Sequence, residues 1–252
     1  MLRELAARIR QGYRTMPYPE GAPNLPDRYR GKPELDCSLC PPDCRACAAA
    51  CPTTAITFEQ GRPALDMGRC LFCADCTAAC PEGLLRFTRE HRLAAWARED
   101  LVLPTPRPAQ GAPSNGARLH IFQRSLSLRQ VSAGGCNACE ADVNVLGTIA
   151  FDLGRFGIQI VASPRHADGL LITGPVTENM KLALEKTYQA LPPPRIVIAV
   201  GACAISGGPY IDHPEVRNGA ASVVPVDLFI PGCPPHPLTI LDGLLQLKTK
   251  RA

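Results

Sequence analysis

Thirteen cysteines, nine of them between residues 36 and 88, constrain this 252-residue chain more than any other feature. The number is odd. The N-terminus shows no apolar stretch closed by a small-residue cleavage site, so an exported disulfide scaffold is not expected. In a reducing compartment, clustered cysteines serve as metal ligands or redox groups, and their spacing decides which. The remaining composition, 46% hydrophobic and 20% charged, is that of an ordinary globular protein. Apolar runs such as Ile196–Val200 are too short to span a bilayer. A net charge of +4 without a basic stripe excludes nucleic acid as an expected partner.

Cys70, Cys73, Cys76 and Cys80 follow the spacing C-x2-C-x2-C-x3-C and run into Pro81. That is the bacterial two-cluster ferredoxin run. Three cysteines two residues apart wrap three corners of a cubane, and the fourth reaches across to the other cluster. A second copy ends at Cys44, Cys47 and Cys51-Pro52, and PTTAITF after Cys51 echoes PEGLLRF after Cys80. Hairpin strands are expected at 55–58 and 84–87. The first copy departs from the pattern, because Pro41 stands where a ligand should fall, with Cys40 one residue earlier and Cys37 three before that. We therefore expect one 4Fe-4S cluster on Cys40, Cys44, Cys47 and Cys80, and a second on Cys51, Cys70, Cys73 and Cys76. Cys37 is left spare, though it competes with Cys40 as first ligand. A zinc-binding structural protein is the alternative, but paired knuckles with one ion per four ligands fit two full runs poorly.

The other four cysteines, Cys136, Cys139, Cys203 and Cys233, are scattered in sequence. They follow strand-like runs: SLSLRQVSAGG before Cys136, RIVIAVGA before Cys203 and VDLFIPG before Cys233. Strands are expected at 158–162, 169–173, 196–200 and 226–230, with helices near 142–152, 178–189 and 237–248. Such alternation predicts a doubly wound parallel sheet, in which loops at the carboxyl ends of strands converge on one crevice. Three loops would then bring four thiols to one site. Gly134-Gly135, Gly201, Gly207-Gly208 and Gly232 allow close approach to a bulky group there.

Four domains are expected. Residues 1–35 hold an amphipathic helix and a Pro-rich extended lead-in; 36–100 form the two-cluster domain (α+β); 101–117 form a Pro/Gly/Ala/Ser-rich linker; and 118–252 form the flavodoxin-like α/β domain. In the first helix, Leu2, Leu5, Ala6, Ile9 and Tyr13 recur at helical spacing, with Arg3, Arg8, Arg10 and Arg14 largely off the stripe. Such a helix docks on a membrane or partner, or packs on its own domain.

GGCNACE, SPRHADGLLITGPVT, VIAVGACAISGG and PGCPPHP, in that order over about residues 118–248, resemble the proximal-cluster subunit family. That family spans the 20-kDa subunit of respiratory complex I and the small subunits of group 4 nickel–iron hydrogenases, formate hydrogenlyase included. The front domain and its lead-in YPEGAPNLPDRYRGKPELD look like the two-cluster ferredoxin subunit of the same complexes, so the chain resembles a fusion of two subunits. The resemblance implies a proximal 4Fe-4S cluster on Cys136, Cys139, Cys203 and Cys233, hence three clusters, and an electron-transfer subunit of an oxidoreductase complex that completes no reaction alone. Complex I places its first two ligands side by side; the Cys136-Asn137-Ala138-Cys139 spacing resembles the hydrogenase branch. Expected partners are a large subunit, of nickel–iron or complex I 49-kDa type, other membrane-complex subunits and a soluble electron donor. The expected location is the cytoplasmic face of the inner membrane, and quinone is the competing acceptor. Ala138 and Glu140 depart from residues common in hydrogenase small subunits. Glu140, Asp142, His166 and His236 are residues of undecided role near the motifs.

Overall fold

A computed structural model of the chain describes residues 2–36, 40–41, 43–59, 61–80, 82–104, 122 and 124–248. Cys37 and residues 105–117 of the expected linker lie outside the described residues.

The front half is built from short antiparallel pieces. β1 (Pro33–Leu35) pairs with β4 (Leu85–Phe87), while β2 (Ile56–Glu59) and β3 (Arg62–Asp66) form a hairpin joined by β5 (Val102–Leu103). The two echoing segments of the sequence therefore enter two separate small sheets. Between them pack the short helices Ala46–Ala49 and Asp75–Ala79. The chain stays in the front sheet further than composition indicated. Leu101 and Leu103 are buried, and Leu103 pairs with Leu65, so apolar burial overrides the Pro-rich character at 101–104. The lead-in is also more than a connector. Tyr18 and Leu25 are buried in the rear core, and Gly31 and Lys32 hydrogen-bond the backbone of Thr88 and Glu90. It straps both halves together.

The rear half is a five-stranded sheet of β6 (Leu126–Ser132), β7 (Ile158–Ile160), β8 (Gly169–Thr173), β9 (Ile196–Val200) and β10 (Leu228–Ile230). The order is β10-β9-β8-β6-β7 and every pairing is parallel. This is the flavodoxin-like order, whose switch point lies between the first and third strands, here β6 and β8. All residues of β8 and β9 are buried, as expected for a sheet covered on both faces. Alternation sends Leu170, Ile172, Val197 and Ala199 to one face, with the helix Glu178–Gln189 and the front domain's Leu65 and Leu101. Leu171, Ile198 and Val200 go to the other, with the helix Pro237–Gln246, Tyr18 and Leu25. Ala95 closes the β10 edge through two backbone bonds of 2.9 Å with Phe229, which removes a bare strand edge.

The helix expected near 142–152 runs from Ala138 to Val145 instead. Asn137, at φ 71°, sits in the left-handed conformation open to Asn, so the turn after Gly134-Gly135 feeds the helix directly.

Candidate metal centres

Each short front helix carries a thiol of one set and ends on a thiol of the other. The helix Ala46–Ala49 holds Cys47 and leads to Cys51; the helix Asp75–Ala79 holds Cys76 and leads to Cys80. Cys40, Cys44, Cys47 and Cys80 line one cavity with Leu35, Pro63, Leu84 and Leu85. Cys51, Cys70, Cys73 and Cys76 line a second with Ala55, Ile56, Leu65 and Phe87. Each cavity thus takes three thiols from one run and its fourth from the other.

The walls are apolar, and backbone amides point at the sulfurs. The Ala55 N–H donates to Cys51 Sγ at 3.2 Å and the Phe72 N–H to Cys70 Sγ at 3.3 Å. Burial, joined by Cys76, Cys51 and Cys73 and opposed by the Phe72 amide, pushes the Cys70 thiol up to about 12. Burial likewise raises Cys47, against the Ala48 amide and with Cys40, Cys80 and Cys44 adding to the rise. Thiols held so close in apolar surroundings become thiolates only when a cationic group shares the site, and uptake of such a group releases their protons.

In the rear half, all four cysteines stand beyond the carboxyl ends of strands. Cys136 and Cys139 follow β6, Cys203 lies on the helix Ala202–Ser206 after β9, and Cys233 follows β10. Burial raises Cys139, with Cys203, Glu140, Cys233 and Cys136 adding to the rise. Burial takes Cys203 to about 12, with Cys233, Cys136 and Glu140 contributing. Cys136 and Cys233 are exposed, so the set opens to the surface on their side.

Glycine makes the convergence possible at two points. Gly201, at φ 90°, would place a Cβ 2.6 Å from Cys139 Sγ; Gly208, at φ 57°, would place one 2.7 Å from Cys203 Sγ. Neither position has room for a side chain.

The residues of undecided role take distinct places. Glu140 is buried, and its Oε1 accepts hydrogen bonds from Ser132 Oγ and Thr173 Oγ1, both at 2.6 Å. Burial raises its carboxyl, but these two donors outweigh it and hold it below the usual range. It staples β6 to β8 at the switch point. His236 caps the helix Pro237–Gln246 by accepting from the Leu238 N–H at 3.2 Å, and meets Tyr29 edge-on at 5.3 Å. Burial lowers its pKa, as does His91. Asp142, raised by burial, lines an open cleft with Arg28, Tyr29, Phe72, Cys233 and His236. His166 is exposed in the turn Pro164–His166. Leu128 pairs with both Ile160 and Gly169, so that turn lies level with the first half of β6, away from the cysteines.

The sequence carried no signal for contacts across the two halves. Ser206 Oγ donates to the Gly68 carbonyl at 3.0 Å, tying the Cys203 helix to the loop before Cys70. Within the front half, Arg30 Nη1 of the lead-in donates to the carbonyl of Phe72, between Cys70 and Cys73, at 2.9 Å. Leu71 and Phe72, between Cys70 and Cys73, line the same cleft as Cys233, so the second front set and the rear set are neighbours.

Open four-thiol cavities with apolar walls and amide donors to sulfur fit an iron–sulfur cubane, whose ligands bind separate corners.

The family model for the NADH ubiquinone oxidoreductase 20 Kd subunit matches residues 136–247, and that for a 4Fe-4S dicluster domain matches residues 35–84. The probable membrane-bound hydrogenase subunit mbhJ of Pyrococcus furiosus is 41% identical over 51% of this chain and 77% of its own length. Formate hydrogenlyase subunit 7 of Escherichia coli is 42% identical over 55% of this chain; the chain spans only 58% of that relative. An NADH-quinone oxidoreductase subunit of Clostridium beijerinckii is 44% identical over 46% of this chain and 69% of its own length. The chain belongs to the family of the NADH ubiquinone oxidoreductase 20 Kd subunit, and carries a 4Fe-4S dicluster domain ahead of that family's fold.

Proposed function

We propose that this chain is the electron-relay subunit of a membrane-associated oxidoreductase complex and holds three 4Fe-4S clusters. The ligands are Cys40, Cys44, Cys47 and Cys80; Cys51, Cys70, Cys73 and Cys76; and Cys136, Cys139, Cys203 and Cys233. The observation that carries this reading is the gathering of eight front thiols into two cavities walled by apolar side chains, with the other four described thiols beyond the carboxyl ends of β6, β9 and β10. When bound, the clusters supply one-electron storage and transfer. The protein's part is positional. Cys thiolates hold each site, amides of Ala55 and Phe72 stabilise charge on sulfur, and Leu65, Leu85 and Phe87 keep water out. The cleft shared by Leu71, Phe72 and Cys233 supports an order in which the second front set stands between the first and the rear set.

The exposed side of the rear set, at Cys136 and Cys233, is where a large partner would exchange electrons with this chain. Identities of 41% and 42% to the hydrogenase relatives and 44% to the quinone-linked one do not separate the two acceptors. The Cys136-x2-Cys139 spacing favours a nickel–iron large subunit over a quinone-linked one. The complex would lie on the cytoplasmic face of the inner membrane. Among the described residues no helix is long and apolar enough to cross a membrane. Metal analysis of the complex purified through this chain tests the reading. Nickel in a co-purifying large subunit is the expected result, and iron without nickel would move the assignment to the quinone-linked complex. Hydrogen turnover by the chain alone would contradict the relay role.

A further inference from the structure

We propose that the helix Leu2–Gln11 lies in the plane of an anionic lipid surface and is this chain's own membrane contact. No residue of the helix is buried. Leu2, Leu5 and Ile9 are 84%, 60% and 76% exposed, and Tyr13 just beyond is 92% exposed. A helix that packed on its own domain would hide this stripe; here every residue of the helix is exposed, so the apolar face packs on nothing.

The charge pattern selects the occupant. Leu2, Leu5, Ala6 and Ile9 share one face. Arg3 and Arg10 flank that face on one side and Arg8 on the other, while the sole acid of the helix, Glu4, falls on the opposite face. Arginines beside an apolar stripe reach outward to phosphate groups while the stripe enters the acyl boundary. Arg14 adds a fourth cation immediately after the helix. Gly12, at φ 64°, ends the helix with its N–H on the Arg8 carbonyl, and nothing crowds it.

The attachment point is firm. The Met16 N–H donates to the Ala150 carbonyl at 2.9 Å, and Arg155 Nη2 holds the carbonyls of Met16 and Tyr18 at 2.8 and 2.9 Å. Ile149, next to Ala150, is 70% exposed and extends the apolar surface at the anchor. The four residues between helix and anchor reach at most about 14 Å, so a docked helix holds the rear domain close to the lipid surface.

The test is co-sedimentation of the full chain with vesicles of phosphatidylcholine alone, or of phosphatidylcholine and phosphatidylglycerol in equal parts. The chain should sediment with the anionic vesicles and stay in solution with the neutral ones, and added salt should release it. An Arg3→Gln/Arg10→Gln variant should bind about tenfold more weakly or worse. A Leu5→Ser/Ile9→Ser variant should lose binding while its iron content and melting temperature stay unchanged, since neither side chain touches the core. Equal binding to both vesicle types, no binding to either, or retained binding by the serine variant would overturn the proposal. Protection of the helix from protease by a co-purified subunit in the absence of lipid would assign the face to a protein instead. Iron content is read separately, so failure of vesicle binding leaves the relay reading standing, and loss of iron in the unaltered chain leaves the lipid contact standing.

Discussion

Gly201 and Gly208 show how narrowly the rear thiols are placed. Each stands in the left-handed region and each would drive a Cβ into a cysteine sulfur. Gly201→Ala should cost about 1–3 kcal/mol in backbone strain and displacement and should lose about four iron per chain, read by metal analysis beside the unaltered protein. Full iron in that variant would contradict the tight placement of Cys139 against Gly201. In the front domain, Cys40→Ser should lose about four iron and Cys37→Ser none; the reverse result would exchange their roles. Glu140→Ala removes the short acceptor shared by Ser132 and Thr173 and leaves Thr173 only the Val131 carbonyl at 3.4 Å, a loss of about 1–3 kcal/mol visible as a lower denaturant midpoint. The two front groups follow from spacing, because a cubane imposes local intervals on its ligands, and each lines one cavity; the rear four, scattered in sequence, needed the fold. The role of Glu140 was not legible in the sequence, since its partners lie 8 and 33 residues away on strands whose neighbour relation only the fold supplies.

The elements differ in how clearly periodicity announced them. β8 and β9 read directly, because continuous apolar runs buried on both faces leave no ambiguity. The helix Ala138–Val145 was expected four residues too late, because its start is set by a left-handed Asn137 and not by an apolar stripe. Val102–Leu103 was hidden by the Pro-rich stretch beside it. Leu101→Ala should therefore destabilise the chain by about 2–5 kcal/mol, as measured by denaturant unfolding. A linker residue would change stability by no more than about 0.5 kcal/mol. Ser206→Ala, at the seam between the Cys203 helix and the Cys70 loop, should cost about 1 kcal/mol. It should also weaken the magnetic interaction between the clusters on either side without altering iron content. An unchanged interaction would make the contact a matter of stability alone.

At the scale of the molecule, the two halves share one apolar seam and one strap. Tyr18 Oη bonds His91 Nε2 and Asp242 Oδ1, both at 3.0 Å, and so joins lead-in, front domain and last helix. Burial holds the His91 imidazole below its usual range, only partly countered by Asp242 and Glu90. A base held down in the folded state is protonated more readily when unfolded. Its contribution to stability is therefore full above about pH 6.5 and is lost as the pH falls from there toward the folded value. The denaturant midpoint, followed through the single tryptophan Trp96, should drop over that range, and His91→Gln should lack this component. None of this seam was legible in the sequence, where nothing marks Tyr18, His91 and Asp242 as neighbours. The cysteine runs pointed to the sites but not to the distance between them.

Iron and acid-labile sulfide per chain, measured on anaerobically purified protein, test the central claim most directly. Three four-cysteine sites predict about twelve of each. About eight would remove one site, and zinc in place of iron would contradict the account.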